Sequence, residues 1–151
     1  MAADILEPTR GAKVGRVVVR VNVENYADIE RAEAGEIPAE KVRRVAVDAL
    51  IDSGAAYFCL PKSLIDRLGL RFRKKKETKT VAGAMDLGIY AAARIEVQGR
   101  DCVTEVMELP EGRQCLLGQV PLELMDWWID ANNQRLVGNP EHGGEWMAEA
   151  F

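Results

Sequence analysis

The sequence predicts a mostly β fold with one or two short helices, and two features support that prediction. Valine occupies every second position across residues 17–23, and apolar residues alternate again across residues 89–97. A period of two places apolar side chains on one face of a strand. Only residues 61–69 and 121–128 carry the apolar spacing and end signals of short helices. With 151 residues, the chain is long enough for one domain with a hydrophobic core.

The domain is predicted to span residues 16–138. Residues 1–15 mix proline and glycine with charges and are expected to form a loose N-terminal arm that could pair at a subunit interface. Residues 25–44 lose the apolar period and accumulate acids, which indicates an exposed insert, either a solvated connection with at most a helical turn or a partner-binding segment. The tail at 139–151 carries large apolar residues and is expected to dock on the domain or on a second subunit.

Composition excludes several function classes. The net charge of −4 gives no general attraction to nucleic acid or to anionic membranes. The start of the chain lacks the pattern of a signal peptide, and no apolar run approaches the roughly 18 residues of a membrane span. Three cysteines without a CxxC pair and a single histidine, His142, indicate neither a disulfide framework nor a metal site. The sequence therefore predicts a cytoplasmic protein without metal or cofactor.

One acid stands out at the end of a predicted buried strand. Apolar residues fill most of positions 45–51, and Asp52 follows while the context is still apolar. Burial of a carboxylate is costly unless donors or cations compensate it, so such an acid is either capped locally or held for chemistry. Ser53 and Gly54 suit both interpretations, since Asp-Ser-Gly is also typical of a simple Asx turn.

The wider segment, residues 49–55 with the sequence Ala-Leu-Ile-Asp-Ser-Gly-Ala and then Leu60-Pro61, resembles the active-site segment of retroviral-like (retropepsin-type, clan AA) aspartic proteases. That resemblance implies a closed, mostly β barrel that forms a homodimer. It also implies that Asp52 activates water, and that the loop around it is supported by Ser53, Gly54 and Ala55.

Two further segments carry weaker parts of the same resemblance. The glycine-centred stretch at 80–85 reads as a hairpin tip, either a plain turn or the flap that closes over substrate in the resembling proteases. The flap and substrate-binding residues are then Val81, Ala82, Gly83, Ala84 and Met85. About sixty residues after Asp52, a second loop is formed by Leu116, Leu117 and Gly118, where the resemblance implies a strand beside the active-site loop. Many relatives carry an acid at the next position, where this chain has Gln119.

The remaining elements are ordinary. Residues 71–79 are strongly basic and are predicted to form a solvated edge strand, with a nucleic-acid footprint as the alternative. Residues 89–97 and 103–109 are predicted to pair as a hairpin. A second hairpin is predicted from residues 127–130 and 135–137, joined by the turn pair Asn132-Asn133.

The chain carries the Asp-Ser-Gly motif once, and no internal repeat supplies a second copy. Hydrolysis of a peptide bond by carboxylates needs two of them side by side, sharing one proton. The sequence therefore predicts an aspartic endopeptidase that acts on polypeptides as a C2 homodimer, with Asp52 meeting its symmetry mate. Val81, Met85, Leu116 and Leu117 are the expected pocket or flap residues. The alternative is a dimeric peptide-binding or assembly module with the same fold and no turnover.

Overall fold

A closed barrel of six strands forms the centre of the molecule, for which a computed structural model describes residues 16–80 and 83–147. The order of the strands is β1-β2-β7-β3-β6-β5, and β5 pairs back to β1 to close the ring, while β4 lies outside the ring and β5 is its only paired strand among the described residues. The strands are β1 Val18–Asn25, β2 Arg44–Ile51, β3 Phe58–Pro61, β4 Phe72–Thr80, β5 Gly83–Val97, β6 Arg100–Leu109, β7 Cys115–Leu117, β8 Trp127–Asp130 and β9 Arg135–Gly138.

Helices are short and lie outside the sheet. They are α1 Tyr26–Glu33, α2 Lys62–Leu68 and α3 Gln119–Leu124, with 3-10 turns at Ala39–Lys41 and Pro140–His142. Among the described residues, no helix has the length and apolar character needed to cross a bilayer. The mostly β, barrel-forming fold expected from the sequence is confirmed, although residues 16–80 and 83–147 form three α-helices where one or two were expected.

Alternation along the strands builds the core. Four of the five valines in residues 17–23 are buried (Val17, Val19, Val21 and Val23), and the residues between them at 18, 20 and 22 are exposed. Phe58, Leu60 and Leu117 face the same interior and are fully buried. Burial of each such side chain contributes about 1.5–3 kcal/mol.

A second, smaller cluster lies on the opposite face of the same strands. It consists of buried Cys59, Leu87, Ile89 and Met107, with Tyr57, Leu109 and Leu116 packed against them and partly exposed. We call these seven residues the outer cluster. Because successive residues of a strand point to opposite faces, Cys59 lies outside the barrel although both of its neighbours lie in the core.

The predicted secondary structure agrees with these elements at most positions. The helix expected at 61–69 is α2, which ends at Gly69 in the left-handed conformation (φ 68°). The basic run is the edge strand β4, and the hairpins β5–β6 and β8–β9 are both present. The helix expected to reach Trp128 is too long. It ends at Leu124, because Asp126 has a positive φ of 58° and Trp127 and Trp128 pair with β9 instead.

The segment 25–44 is more ordered than the exposed connection predicted for it. Asn25 caps α1 by accepting from the Asp28 backbone N–H at 3.0 Å, and its amide donates to the Leu68 carbonyl at 2.8 Å. Asp28 is itself buried, and it accepts from the backbone N–H, Nε and Nη2 of Arg43 at 3.0, 2.8 and 3.0 Å. The Arg43 guanidinium also lies against Gly69, where a Cβ would overlap it. This network ties α1 to the start of β2 and to the end of α2.

We expect Asp28→Asn to lower the free energy of unfolding by about 2–3 kcal/mol at neutral pH, because the Arg43 guanidinium loses its anionic partner. The hydrogen bonds from Arg43 hold the pKa of Asp28 below its ordinary value of 3.8. Its contribution is therefore present above that value and is lost as the pH falls through the lowered pKa. Chemical denaturation of both proteins should show a difference that shrinks in acid.

Asp66→Asn is the matched control, since Asp66 makes an exposed ion pair with Lys62 on α2. Its effect should stay within about 0.5 kcal/mol. An Asp28→Asn protein as stable as the wild type at neutral pH would mean that the network does not hold this segment.

The described part of the tail packs on the parent domain through Asp126. This buried carboxylate lies 2.6 Å from Nδ1 of His142, and it accepts from the Asn139 amide at 3.1 Å and from the Met147 backbone N–H at 3.2 Å. The hydrogen bond with His142 lowers the pKa of Asp126. The tail is therefore docked at least to Met147. The expected arm at 1–15 and the last residues, including Phe151, lie outside the described residues.

Candidate active site

Asp52 lies at the point where β2 leaves the barrel. Strands β2 and β7 run parallel, with Ile51 opposite Leu117, and the Asp52 backbone N–H donates to the Leu117 carbonyl at 3.0 Å. The Ile51 N–H donates to the Val17 carbonyl at 2.8 Å. The backbone of Asp52 is thus fixed by rigid strands, while its side chain remains partly exposed. A reactive group on such a scaffold keeps a defined position.

The turn after Asp52 holds its carboxylate. Oδ1 accepts from the Gly54 N–H at 2.9 Å, and the Asp52 carbonyl accepts from the Ala55 N–H at 3.1 Å. The simple Asx turn weighed from the sequence is therefore present. It orients the side chain without neutralising it, since no lysine, arginine or histidine in the described part of the chain forms an ion pair with Asp52. Ser53 is exposed beside it.

Gly118 lets the second loop pass against the first. A Cβ at this position would lie 2.6 Å from the Ala55 carbonyl oxygen and 2.8 Å from the Ala56 carbonyl carbon, with the Tyr57 carbonyl oxygen closer still. The Gln119 and Val120 N–H groups donate to the Ala55 and Ala56 carbonyls at 2.8 and 3.1 Å. The loops around Asp52 and Gly118 therefore form one hydrogen-bonded unit at the start of α3.

The two leucines before Gly118 face opposite sides of β7. Leu117 is 0% exposed and belongs to the barrel core, so the expected pocket role does not hold for it. Leu116 belongs to the outer cluster and pairs with Leu50 of β2, which is also partly exposed. The apolar surface next to Asp52 is therefore formed by Leu116 and Leu50. Leu50 was not singled out from the sequence, although its alternation with Ala49 and Ile51 would have placed it on this face.

The β4–β5 hairpin projects beyond the barrel. Residues 83–88 of β5 pair only with β4, whereas the rest of the strand pairs with β6 and β1. Gly83, Ala84 and Met85 are exposed on this extension. The expected flap residues Val81 and Ala82 lie outside the described residues. The partner strand β4 reaches the loop that follows Asp52, because Nζ of Lys76 donates to the Tyr57 hydroxyl at 3.0 Å.

A cysteine close to Asp52 does not offer a second chemistry. Burial, reinforced by the negative charge of Asp52, raises the pKa of Cys59 to about 12. The thiol therefore stays protonated at neutral pH and is not a nucleophile. Its Sγ lies 3.6 Å from the Tyr57 carbonyl and packs in the outer cluster. Cys59 thus acts as an apolar support beneath the loop.

Comparison with known proteins shows that the chain matches the model of one protein family. A family model described as "gag-polyprotein putative aspartyl protease" matches residues 38–123, more than half of the chain, and the match includes Asp52, the β4–β5 hairpin and Gly118. Among solved structures, the solution structure of the simian foamy virus (mac) protease is 21% identical, with a TM-score of 0.44 over 70% of this chain and 91% of that chain. No curated protein matches the sequence significantly.

Proposed function

Since this chain belongs to the retroviral-like aspartyl protease family, we propose that it is an aspartic endopeptidase that acts as a homodimer. The observation that carries the proposal is the state of Asp52. It is held by the Leu117 carbonyl and the Gly54 N–H at the end of β2, and no cation in the described chain pairs with it. A second Asp52 placed against it by a two-fold axis supplies the missing half of a catalytic pair.

The chemistry follows from two carboxyl groups that share one proton. Two like charges about 3 Å apart cannot both ionise, so one Asp52 is a carboxylate and its mate a carboxylic acid. The carboxylate takes a proton from water as the water oxygen bonds to the peptide carbonyl carbon, and the acid protonates the carbonyl oxygen. Collapse of the tetrahedral diol then breaks the C–N bond: the leaving nitrogen accepts a proton from the carboxylic acid of the pair, and a diol hydroxyl gives its proton to the carboxylate as the C=O bond re-forms.

Exposed apolar side chains near the loop suit contact with a second copy. Val120 and Leu124 of α3 are 47% and 51% exposed, and Trp146 is 45% exposed with its Nε1 donating to the Leu124 carbonyl at 3.4 Å. The Val120 backbone is hydrogen-bonded to the active-site loop itself. An apolar surface continuous with Asp52 would bring two Asp52 loops together when it is buried in a dimer.

Substrate binding in the proposed dimer uses the surfaces on either side of Asp52. Leu50 and Leu116 line one side, and Met85 and the hairpin cover the other. An extended polypeptide fits such a cleft through its backbone and its apolar side chains. In the proposed dimer, Gly54, Ala55 and Gly118 hold the loop, and the hydroxyl of Ser53, which is exposed in the single chain, bonds across the axis.

Dilution tests this proposal directly. We expect cleavage of a denatured protein pool at acidic to neutral pH, sensitive to a statine-type inhibitor. The activity per chain should fall as the protein is diluted below its dimer dissociation constant, because a monomer carries only one Asp52. Sedimentation over the same concentrations would report the dimer. Activity per chain that survives complete dissociation would refute the shared site, and a stable dimer without any cleavage would leave the non-catalytic module.

A further inference from the structure

Lys76 places a positive charge against Tyr57, a residue that carries no negative charge to balance it. Lys76 is exposed, and its ammonium donates to a neutral phenol at 3.0 Å and lies 5.1 Å from the centre of the Tyr57 ring. Some surface cations have acidic partners, such as Arg73 with Glu105 and Lys62 with Asp66, whereas Lys74 and Lys75 on the same strand have none among the described residues. Within the described residues, Lys76 forms no such ion pair. The fold therefore holds a cation at this point and leaves its charge uncompensated.

The register of the hairpin shows that Lys76 faces the active-site side. Partners in an antiparallel pair share a face of the sheet, and Lys76 is opposite Leu87, which lies in the outer cluster with Tyr57 and Leu116. Lys75 is opposite Gly88 and points to the other side. Adjacent lysines on one strand thus have different surroundings, and only Lys76 adjoins the loop that carries Asp52.

The local charge reinforces this placement. Residues 71–80 contain six basic side chains and one acid, although the whole chain has a net charge of −4. Lys76 is exposed and its ammonium is charged at neutral pH, and the hydrogen bond to Tyr57 raises its pKa further. A fixed cation beside a partly apolar cleft attracts an anionic group on the ligand and selects against a cationic one.

We propose that Lys76 and Tyr57 form a subsite that binds a carboxylate side chain of the substrate, so that the preferred polypeptide is acidic next to its apolar residues. The proposal rests on the cleft assigned under the proposed function. Tyr57 follows Asp52 by five residues, which span at most about 18 Å, and an extended substrate covers that distance in a similar number of residues. The acidic residue therefore lies within about five positions of the scissile bond.

Three matched sets of apolar decapeptides test the subsite. Every peptide of the first set carries one Glu, at a position that varies through the set, and the second and third sets carry Gln or Lys at the same positions. We expect the wild type to cleave the best Glu peptide about tenfold more efficiently, in kcat/KM, than its Gln counterpart, and the Lys counterpart less efficiently still. Lys76→Met should reduce the preference to less than about twofold, and Lys76→Glu should reverse it toward the Lys peptide. The wild-type preference should weaken at high salt.

Lys75→Met is the control, because it removes the same charge from the opposite face of the strand. Equal cleavage of all three sets by the wild type would overturn the subsite, and so would an equal loss of preference in Lys75→Met and Lys76→Met. Binding of fluorescent peptides to Asp52→Asn, read by anisotropy, separates the two proposals. A preference for Glu that depends on Lys76 without any cleavage by the wild type would retain the subsite and refute the peptidase. Cleavage by the wild type without a preference for Glu would retain the peptidase and refute the subsite.

Discussion

Asp52→Asn is expected to reduce kcat by at least about a thousandfold while the dimer persists. An amide cannot take a proton from water, and a pair of amides cannot share one. The fold should be preserved, because the Asn oxygen can still accept from the Gly54 N–H that holds Oδ1 at 2.9 Å. Cleavage of a fluorogenic peptide and the sedimentation mass are the two measurements.

Asp48→Asn is the natural control for this variant. Asp48 lies on β2, four residues before Asp52, and makes an exposed ion pair with Arg20 at 3.1 Å, so kcat should not change. Mixing equal amounts of wild type and Asp52→Asn should lower the wild-type activity to about half, since random pairing places half of the wild-type chains in inactive heterodimers. Residual activity within tenfold of the wild type would show that Asp52 is not the catalyst. Loss of the dimer would assign it a structural role instead.

The parts of the fold that the sequence predicts are those set by local pattern. Strand β1 and the hairpin β5–β6 have one buried face each, so their apolar period of two is visible without any knowledge of the partners. The β5–β6 turn is equally local, since Gln98 and Gly99 both have a positive φ and Gly99 adopts it without strain. These elements needed no tertiary information.

The closure of the barrel could not be derived from local pattern. Strand β7 has only three residues, yet it lies between β2 and β3 and pairs in parallel with β2 more than sixty residues away. Helix α1 was missed for a similar reason. Its acids look solvated, and the burial of Asp28 depends on Arg43, fifteen residues later. Both features depend on contacts that sequence spacing does not reveal.

The candidate site also has residues that the sequence reveals and residues that only the tertiary structure reveals. Asp52 and Gly118 stand out because each belongs to a motif with a fixed order along the chain. Tyr57 and Lys76 carry no motif, and their contact arises only when the β4–β5 hairpin folds back against the active-site loop. Placing Leu116 rather than Leu117 on the outer face of β7 required the register of that strand, since a shift of one residue exchanges the two faces.

Gly118→Ala is expected to have the second-largest effect, with kcat/KM reduced about a hundredfold and the free energy of unfolding lowered by about 1–3 kcal/mol. The backbone of Gly118 has a φ of −89°, which any residue adopts, so the cost comes from space alone. A methyl group there would meet the Ala55 and Tyr57 carbonyls and push the Asp52 loop away from β7.

Gly35→Ala is the control, because Gly35 has the positive φ that Gly118 lacks and the free space that Gly118 lacks. Comparison of the two variants therefore separates the effect of steric overlap from that of backbone strain. Gly35 has a φ of +78° but nothing within 4 Å of an added Cβ, so its substitution should cost about 1–2 kcal/mol through backbone strain and leave the cleavage rate of the folded protein unchanged. Peptide cleavage and denaturation should therefore separate the two variants. If Gly118→Ala cleaved peptides within threefold of the wild type, the close packing of the two loops would not be what positions Asp52. Catalysis would then depend on the β2 backbone and the Gly54 turn alone.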